Sequence, residues 1–201
     1  ESSPHPLSGR TNSAMARSSR NVAFCCPEDL RCAPMNDVHD PAWDRVRAAL
    51  DALEVPFEPM ACDPAFADTA AFCERYGIAP QESANTILVA SRQEPRRWAA
   101  CLVLSHCRLD VNHAVSRLLG VKRLSFASAD ETREKTGMMI GGVSLAGLPA
   151  DVPVFIDSRV LEVPRVVIGG GSRSWKVRLD PKDLRRIPGA QVVENLANPK
   201  T

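Results

Sequence analysis

The residues most able to do chemistry lie in the glycine-rich stretch 136–147, TGMMIGGVSLAG. Two adjacent glycines weaken a strand, so their presence in an apolar run needs another explanation. Because glycine lacks a Cβ atom, a ligand can approach its backbone closely, and the N–H groups of Gly141, Gly142 and Val143 could hold an anion or a carbonyl oxygen. A simple bulge or turn explains the pair equally well. The residues alone leave both interpretations open.

Other candidate groups give weaker signals. The triplet Gly169 to Gly171 lacks the P-loop pattern and no long helix follows it, so a hairpin turn is predicted. His106 lies at the end of a predicted strand, where a pocket could form, but no carboxylate or nucleophile accompanies it at a triad spacing. Ser144 lacks the nucleophile-elbow pattern, which favours a hydrogen-bonding role. Cys101 and Cys107 flank one strand and are expected to be core thiols.

Two clusters of basic residues could contact phosphates. They are Arg92, Arg96 and Arg97, and then Arg173, Lys176, Arg178, Lys182, Arg185 and Arg186. Charged turns and solvated strand faces are common, so an ordinary surface is the favoured interpretation of each. The net charge is +1, with 25 basic and 24 acidic residues. No global field therefore attracts nucleic acid or anionic lipid, and any such contact must be local.

Length and composition fit one soluble domain with a tail. The chain has 201 residues, 44% of them hydrophobic, and no run of 18 apolar residues that could span a membrane. Seven cysteines without a CxxC pair predict neither a zinc site nor a redox motif. No apolar signal-peptide segment opens the chain, so reduced thiols in the cytoplasm are expected.

The first 34 residues are rich in Ser, Pro, Arg and Asn and have no helical or strand periodicity. They are predicted to be a disordered or non-native tail, followed by one domain over 35–201. Cys25, Cys26 and Cys32 fall in this tail, where a metal role is not expected.

The remaining patterns predict short helices interleaved with hairpins. Helices are predicted over 40–56, 68–76, 110–120, 128–137 and 182–186, and strands over 57–62, 85–90, 98–104, 123–126, 152–156, 165–168 and 174–179. This order predicts an α+β domain, with short helices packed around a curved, mixed, mostly antiparallel sheet. It does not predict a doubly wound parallel sheet.

The order of elements and several segments resemble one family. The segments are ANTILVA, then CRLDVNHAVSRLLGVKRLSFASADETREKTGMMIGGVS, then VPVFIDSRVLEVPRVVIGGGSRSWKVRLDPKDL. From about residue 40 to 196 the chain is similar to the YbaK/prolyl-tRNA editing domains, which are single-domain aminoacyl-tRNA deacylases. The stretches 108–120 and 136–144 are the most specific. Because no synthetase core accompanies them, the chain looks like a free-standing member.

The resemblance implies hydrolysis of the ester that joins a wrong amino acid to the 3′ end of a tRNA. In such proteins loop amides hold the carbonyl and a water attacks, helped by a hydroxyl of the terminal ribose, without metal, cofactor or covalent intermediate. Carried over by position, Gly141, Gly142, Val143 and Ser144 would form this loop. Thr86, Ser105 and His106 would bind substrate, and Asp110 would do so while anchoring the helix behind the pocket. The expected partner is mischarged tRNA, with an aminoacyl-tRNA synthetase as a second possible partner, and the expected location is the cytoplasm.

Two positions depart from the family pattern. The family usually has a lysine, regarded as a charge that holds the 3′ end of the substrate, where this chain has Asn85. Asn donates hydrogen bonds but carries no charge, so phosphate attraction is weaker. The family loop commonly ends in proline where this chain has Leu145, and losing the fixed φ of proline should loosen the loop.

Three hypotheses follow. The first is a deacylase in which Asn85, counted among the catalytic residues, or another basic residue takes over part of the role of the lysine. The second is a protein that keeps the fold and binds tRNA or an aminoacyl ligand without turnover. The third is a small-molecule hydrolase on the same fold. Neither the amino acid removed nor the oligomeric state follows from the sequence.

Overall fold

The computed structural model describes residues 39–200, so the predicted tail and its three cysteines lie outside the described part of the chain. The α-helices are α1 (Pro41–Ala52), α2 (Thr69–Tyr76), α3 (Ser116–Leu119) and α4 (Ala129–Thr136). The strands are β1 (Phe57–Ala61), β2 (Ala84–Ser91), β3 (Trp98–Leu104), β4 (Cys107–Leu109), β5 (Leu124–Phe126), β6 (Val154–Asp157), β7 (Val166–Gly169), β8 (Trp175–Leu179), β9 (Ala190–Val193) and β10 (Ala197–Pro199). Short 3-10 helices span Pro64–Phe66, Pro80–Glu82, Ser158–Leu161 and Pro181–Arg186, and a π-helical turn spans Val111–Val115.

Local signals define the helix ends, as predicted. The Asp40 carboxylate accepts a hydrogen bond from the amide of Trp43 at 3.0 Å and so caps α1. Ser128 and Glu131 form a reciprocal capping box at the start of α4. Helix α2 ends at Gly77, which adopts a left-handed conformation with φ of +64°. These elements form where the sequence predicts them because a few neighbouring residues determine each boundary.

The strands form three sheets. The first has the order β1-β8-β7, the second pairs β10 with β4, and the third has the order β5-β2-β3-β6-β9. The hairpins β2–β3 and β7–β8 are antiparallel, as predicted. Strands β3, β6 and β9 run parallel to one another, so the largest sheet is mixed. The α+β class with mostly antiparallel pairing is confirmed.

The sequence patterns missed three strands and the division into sheets. Strands β4 and β10 have three residues each and β9 has four, which is too short for a clear alternation of apolar and polar residues. The strands divide into separate sheets, and β2 and β7 lie on opposite sides of the division between the two larger ones. A lone parallel bridge between Ser83 and Val167 links the two parts. The predicted helix that begins after Asp110 is a π-helical turn followed by one turn of α-helix.

Two apolar clusters hold the elements together. The main one joins α1 to the largest sheet through fully buried residues such as Val46, Leu50, Leu102 and Ile156. The smaller one lies under α2, where Phe72 packs with Cys62 and with Val167 of β7. Burial of a Phe or Leu side chain stabilises the fold by about 1.5–3 kcal/mol. Helix α2 is therefore fixed against the β1-β8-β7 sheet, which matters for the site below. Within residues 39–200, no helix is long and apolar enough to cross a membrane.

Candidate active site

A cavity of about 470 Å³ opens beside the first turn of α2. Its size lies within the range of about 300–1,000 Å³ that is typical of small-ligand sites. Apolar groups from Ala70, Cys73, Ile78 and Pro80 line part of it. The polar lining residues are Thr69, Glu74, Ser105, His106 and Lys200. The cavity thus combines an apolar surface with donors and acceptors that could orient a ligand.

Asn85 reaches this region through Thr69. The Thr69 hydroxyl donates a hydrogen bond of 2.6 Å to Oδ1 of Asn85. This bond occupies the amide oxygen, so the Asn85 –NH₂ group is the part of the side chain that can donate to a ligand. Asn85 lies in β2 opposite Val103 of β3, and its side chain is partly exposed. The position that the resemblance marks as catalytic is therefore next to the cavity, joined to it by Thr69.

Ser105 and His106 line the cavity at the end of β3. The Ser105 hydroxyl donates to the carbonyl oxygen of Pro80 at 2.6 Å, and the Ser105 amide donates to Ser83 at 2.8 Å. Nδ1 of His106 is buried and has no hydrogen-bond partner within the described residues. An unpaired buried nitrogen is costly, so a ligand or water that reached it would gain a hydrogen bond.

Thr86 and Asp110 lie elsewhere. Side chains alternate along a strand, so Thr86 points to the face of β2 opposite Asn85, where its Oγ1 is buried. The Asp110 carboxylate accepts from the amide of His113 at 3.0 Å and caps the π-helical turn, and its own amide donates to Leu196. Neither residue lines the cavity. Asp110 has the anchoring position that the resemblance implies, whereas Thr86 belongs to the sheet.

Residues 136–147, called the glycine loop from here on, continue from α4 without forming a strand. Gly141 has φ of +87°, which favours glycine, and a Cβ atom at Gly142 would lie 1.9 Å from the carbonyl oxygen of Ser172. The Gly142 amide donates to Met139 at 2.8 Å. The amides of Gly141 and Val143, by contrast, make no hydrogen bond within residues 39–200.

The other predicted loop residues are mostly buried. Val143 is 7% exposed and Ser144 is fully buried, with its Oγ accepting from Ala146 at 3.3 Å. Leu145, which stands at the family's proline position, is 1% exposed and packs in the main core. The loop is therefore anchored by packing at the residue that the sequence suggested would loosen it. The glycine loop is not among the residues that line the cavity.

Two basic residues join the glycine loop to the start of α2. Arg173 donates to the carbonyl oxygens of Pro64 at 2.9 Å and Ile140 at 3.3 Å, and pairs with Asp68 at 3.1 Å. That pairing, chiefly its hydrogen bond, lowers the pKa of Asp68. The ammonium of Lys176 donates to the carbonyls of Ala67 and Gly141. We call Arg173 and Lys176 the basic clamp. The clamp contacts Asp68, and the next residue, Thr69, lines the cavity. The clamp and the cavity therefore meet at the start of α2.

The basic clamp was missed as a site feature because both residues belong to a basic cluster for which an ordinary solvated surface is the favoured interpretation. Lys176 is 7% exposed, and burial lowers its pKa. A lysine flanked by Trp175 and Val177 in a strand could have suggested a buried position, but nothing local identifies its acceptors. Arg186 of the same cluster donates to the carbonyl of Glu54, and Arg96 of the other cluster pairs with Glu131. These residues serve structural contacts.

Cys62, Cys101 and Cys107 are poor nucleophiles. Cys101 is fully buried, and desolvation strongly raises its pKa. Burial likewise raises the pKa values of Cys62 and Cys107. Within residues 39–200, no group of three or more His, Cys, Asp or Glu side chains is placed to hold a metal ion.

Comparisons with known proteins show the family and the fold of the chain. The model of the aminoacyl-tRNA editing domain matches residues 63–187, which include α2, Asn85, the cavity strand β3, the glycine loop and the basic clamp. A crystal structure described as a candidate trans-editing enzyme for prolyl-tRNA synthetase superposes with a TM-score of 0.67 at 25% identity, over 81% of this chain and 99% of that one. The hypothetical protein APE2540 superposes with a TM-score of 0.68 at 23% identity, over 77% and 99% of the two chains. The chain belongs to the aminoacyl-tRNA editing domain family.

Proposed function

We propose that this protein is a free-standing trans-editing deacylase that hydrolyses the ester of a mischarged tRNA. The observation that carries the proposal is the cavity beside α2. Thr69 holds Asn85 on one side of this cavity by a hydrogen bond. The basic clamp holds the glycine loop next to the turn at the start of α2 that carries Thr69. Membership of the editing family and likeness to a candidate trans-editing enzyme support it. The cytoplasm, where tRNAs are charged, is the proposed location.

The proposed reaction needs positioning rather than a protein nucleophile. A water attacks the ester carbonyl carbon, the bond to the ribose oxygen breaks, and the water's proton passes to that oxygen. The products are a free amino acid and a tRNA with an intact terminal hydroxyl. The unpaired amides of Gly141 and Val143 are the groups best suited to hold the carbonyl oxygen as negative charge develops. The burial of Ser144 and of the Cys101 thiol supports a mechanism that uses neither as a nucleophile.

Deacylation of mischarged tRNAs tests the proposal. Alanyl-, seryl- and cysteinyl-tRNA are incubated with the natural protein and with Asn85→Lys, which restores the family's usual residue. Hydrolysis by the natural protein above the spontaneous rate is expected, equal or higher in Asn85→Lys. Asn112→Lys is a matched control, because it adds the same charge at an exposed position outside the cavity. Absence of hydrolysis in both the natural protein and Asn85→Lys would refute the proposal.

A second candidate function is a binding protein that has lost turnover. The observation that favours it is the neutral Asn85 amide, whose oxygen is already engaged by Thr69. This alternative predicts that the natural protein binds tRNA without hydrolysing mischarged tRNA, and that the Asn85→Lys variant hydrolyses it. Hydrolysis by the natural protein would exclude it.

A further inference from the structure

We infer that Lys200 supplies to the cavity the positive charge that Asn85 lacks, and that it holds a phosphate of the single-stranded 3′ end of tRNA. This inference rests on the proposed function, because it assigns a residue to the same substrate. It identifies a specific residue for the role that the sequence left to an unnamed basic side chain.

Lys200 is fixed in place by two hydrogen bonds. Strand β10 pairs antiparallel with β4, in the register Pro199 opposite Cys107. Beyond this pair the Lys200 amide donates to the carbonyl of His106 at 2.9 Å, and Nζ of Lys200 donates to the carbonyl of Ser105 at 2.6 Å. The ammonium thus lies at the strand end where Ser105 and His106 line the cavity. An ammonium has three N–H donors, so two remain for phosphate oxygens.

One residue connects Asn85 to the cavity that Lys200 lines. Thr69, which hydrogen-bonds to Asn85, lines the cavity together with Lys200. The Ser105 amide also binds the carbonyl of Ser83, two residues before Asn85 in the chain. A lysine side chain entering from β10 can therefore serve the region that a lysine at position 85 would serve from β2.

The other nearby cations are already committed. The buried ammonium of Lys176 donates to two backbone carbonyl oxygens. Arg173 is engaged by Asp68 and two backbone carbonyls. Among the residues that line the cavity, Lys200 is the one lysine or arginine. Glu74 also lines the cavity, but forms no ion pair with Lys200 within the described part of the chain.

Binding of an RNA minihelix with a single-stranded CCA 3′ end tests the inference without requiring turnover. Affinity is measured by fluorescence anisotropy at several salt concentrations. Lys200→Met keeps the length of the side chain and removes its charge, so about tenfold weaker binding is expected. The slope of log K against log salt should fall by about 0.7, as for one lost phosphate contact on a single strand. Lys200→Arg should stay close to the natural protein.

Rescue separates a charge role from a structural one. Asn85→Lys in the Lys200→Met background should restore both the affinity and the salt slope, whereas a fold defect would persist. Lys122→Met, which removes an exposed lysine outside the cavity and outside both basic clusters, is the matched control and should bind normally. Thermal unfolding of each variant checks that the fold is intact.

The outcomes distinguish this inference from the proposed function. Unchanged binding and salt slope in Lys200→Met would overturn it, and so would a loss that Asn85→Lys does not restore. Absence of minihelix binding by the natural protein would overturn it as well. Binding that depends on Lys200, without hydrolysis of any mischarged tRNA, would uphold the inference and refute the deacylase proposal.

Discussion

The ammonium nitrogen of Lys176 lies 2.9 Å from the carbonyl oxygen of Ala67, two residues before α2 begins. The same nitrogen donates to the carbonyl of Gly141 in the glycine loop. One side chain from β8 thereby fixes the loop relative to the turn that carries Asp68 and Thr69. A site that acts by positioning depends on distances of this kind, since a displacement of about 1 Å can lower a rate about a hundredfold.

Replacing Lys176 by Met should destabilise the protein and lower kcat. The substitution leaves the carbonyls of Ala67 and Gly141 without their donor, and an unsatisfied buried acceptor costs about 1–3 kcal/mol. Urea unfolding measures the loss, and deacylation kinetics measure kcat. Lys122→Met, at an exposed position, is the control. Unchanged stability and unchanged kcat would show that the loop does not depend on this contact.

Replacing Asp68 by Asn should lower stability in a pH-dependent manner. The hydrogen bond from Arg173 lowers the pKa of Asp68 in the folded state, so the pair stabilises the fold at pH values above the ordinary pKa of an aspartate. The stabilisation is lost as pH falls through the lowered pKa. Because the Asp68 side chain is 71% exposed, the difference at neutral pH should be at most about 1 kcal/mol and should shrink in high salt.

Urea unfolding of both proteins from pH 7 to pH 2 measures this difference. The curves should converge at the acid end. Asp51→Asn on α1 removes another exposed carboxylate, and the same convergence there would argue against a specific role of the pair with Arg173.

Replacing Gly142 by Ala should be more damaging than replacing Gly77 by Ala. The new Cβ at 142 would meet the Ser172 carbonyl oxygen at 1.9 Å, which forces two backbone segments apart. Overpacking lowers the free energy of unfolding by about 1–3 kcal/mol. A clash with a backbone atom, which cannot move aside as a side chain can, should cost an amount at or above the upper end of this range. Gly77 has positive φ but no atom within 4 Å of the added Cβ, so only the conformational cost of about 1 kcal/mol applies. An equal decrease in melting temperature for Gly142→Ala and Gly77→Ala would contradict the close packing at Gly142.

Filling the cavity should lower the deacylation rate and spare the fold. Ala70 is exposed on α2 and lines the cavity, so Ala70→Trp places a bulky ring where the substrate is proposed to bind. Deacylation should fall at least about tenfold while the melting temperature stays within a few degrees. Ala129→Trp, at the exposed first residue of α4, is the control. Full activity of Ala70→Trp would place the substrate elsewhere.

The sequence predicted elements whose causes are local and missed contacts between distant segments. The cap at Asp40, the capping box at Ser128 and the β2–β3 hairpin each depend on neighbouring residues, and all three are confirmed. The parallel pairing of β3, β6 and β9 joins segments far apart in the chain, and no local pattern specifies it.

The same distinction applies to the site. The glycine loop is visible in the sequence because adjacent glycines are unusual in an apolar run. The basic clamp and Lys200 are not visible, because their acceptors lie in segments remote from them. The distance from Lys176 to Ala67 is 109 residues along the chain, and from Lys200 to Ser105 it is 95. Only the folded chain reveals such partners.

The basic clamp also couples two parts of the molecule that could otherwise loosen separately. Both of its residues follow the β7 strand, and β8, which carries Lys176, is the central strand of the β1-β8-β7 sheet. The first turn of α2 and the glycine loop are therefore held by the same hairpin. Any fluctuation that frays this small sheet releases both at once. The β8 amides should thus exchange with solvent in one cooperative unit with the Gly142 amide, which donates to Met139 in the glycine loop. A stabilised hairpin should slow the opening of the whole site.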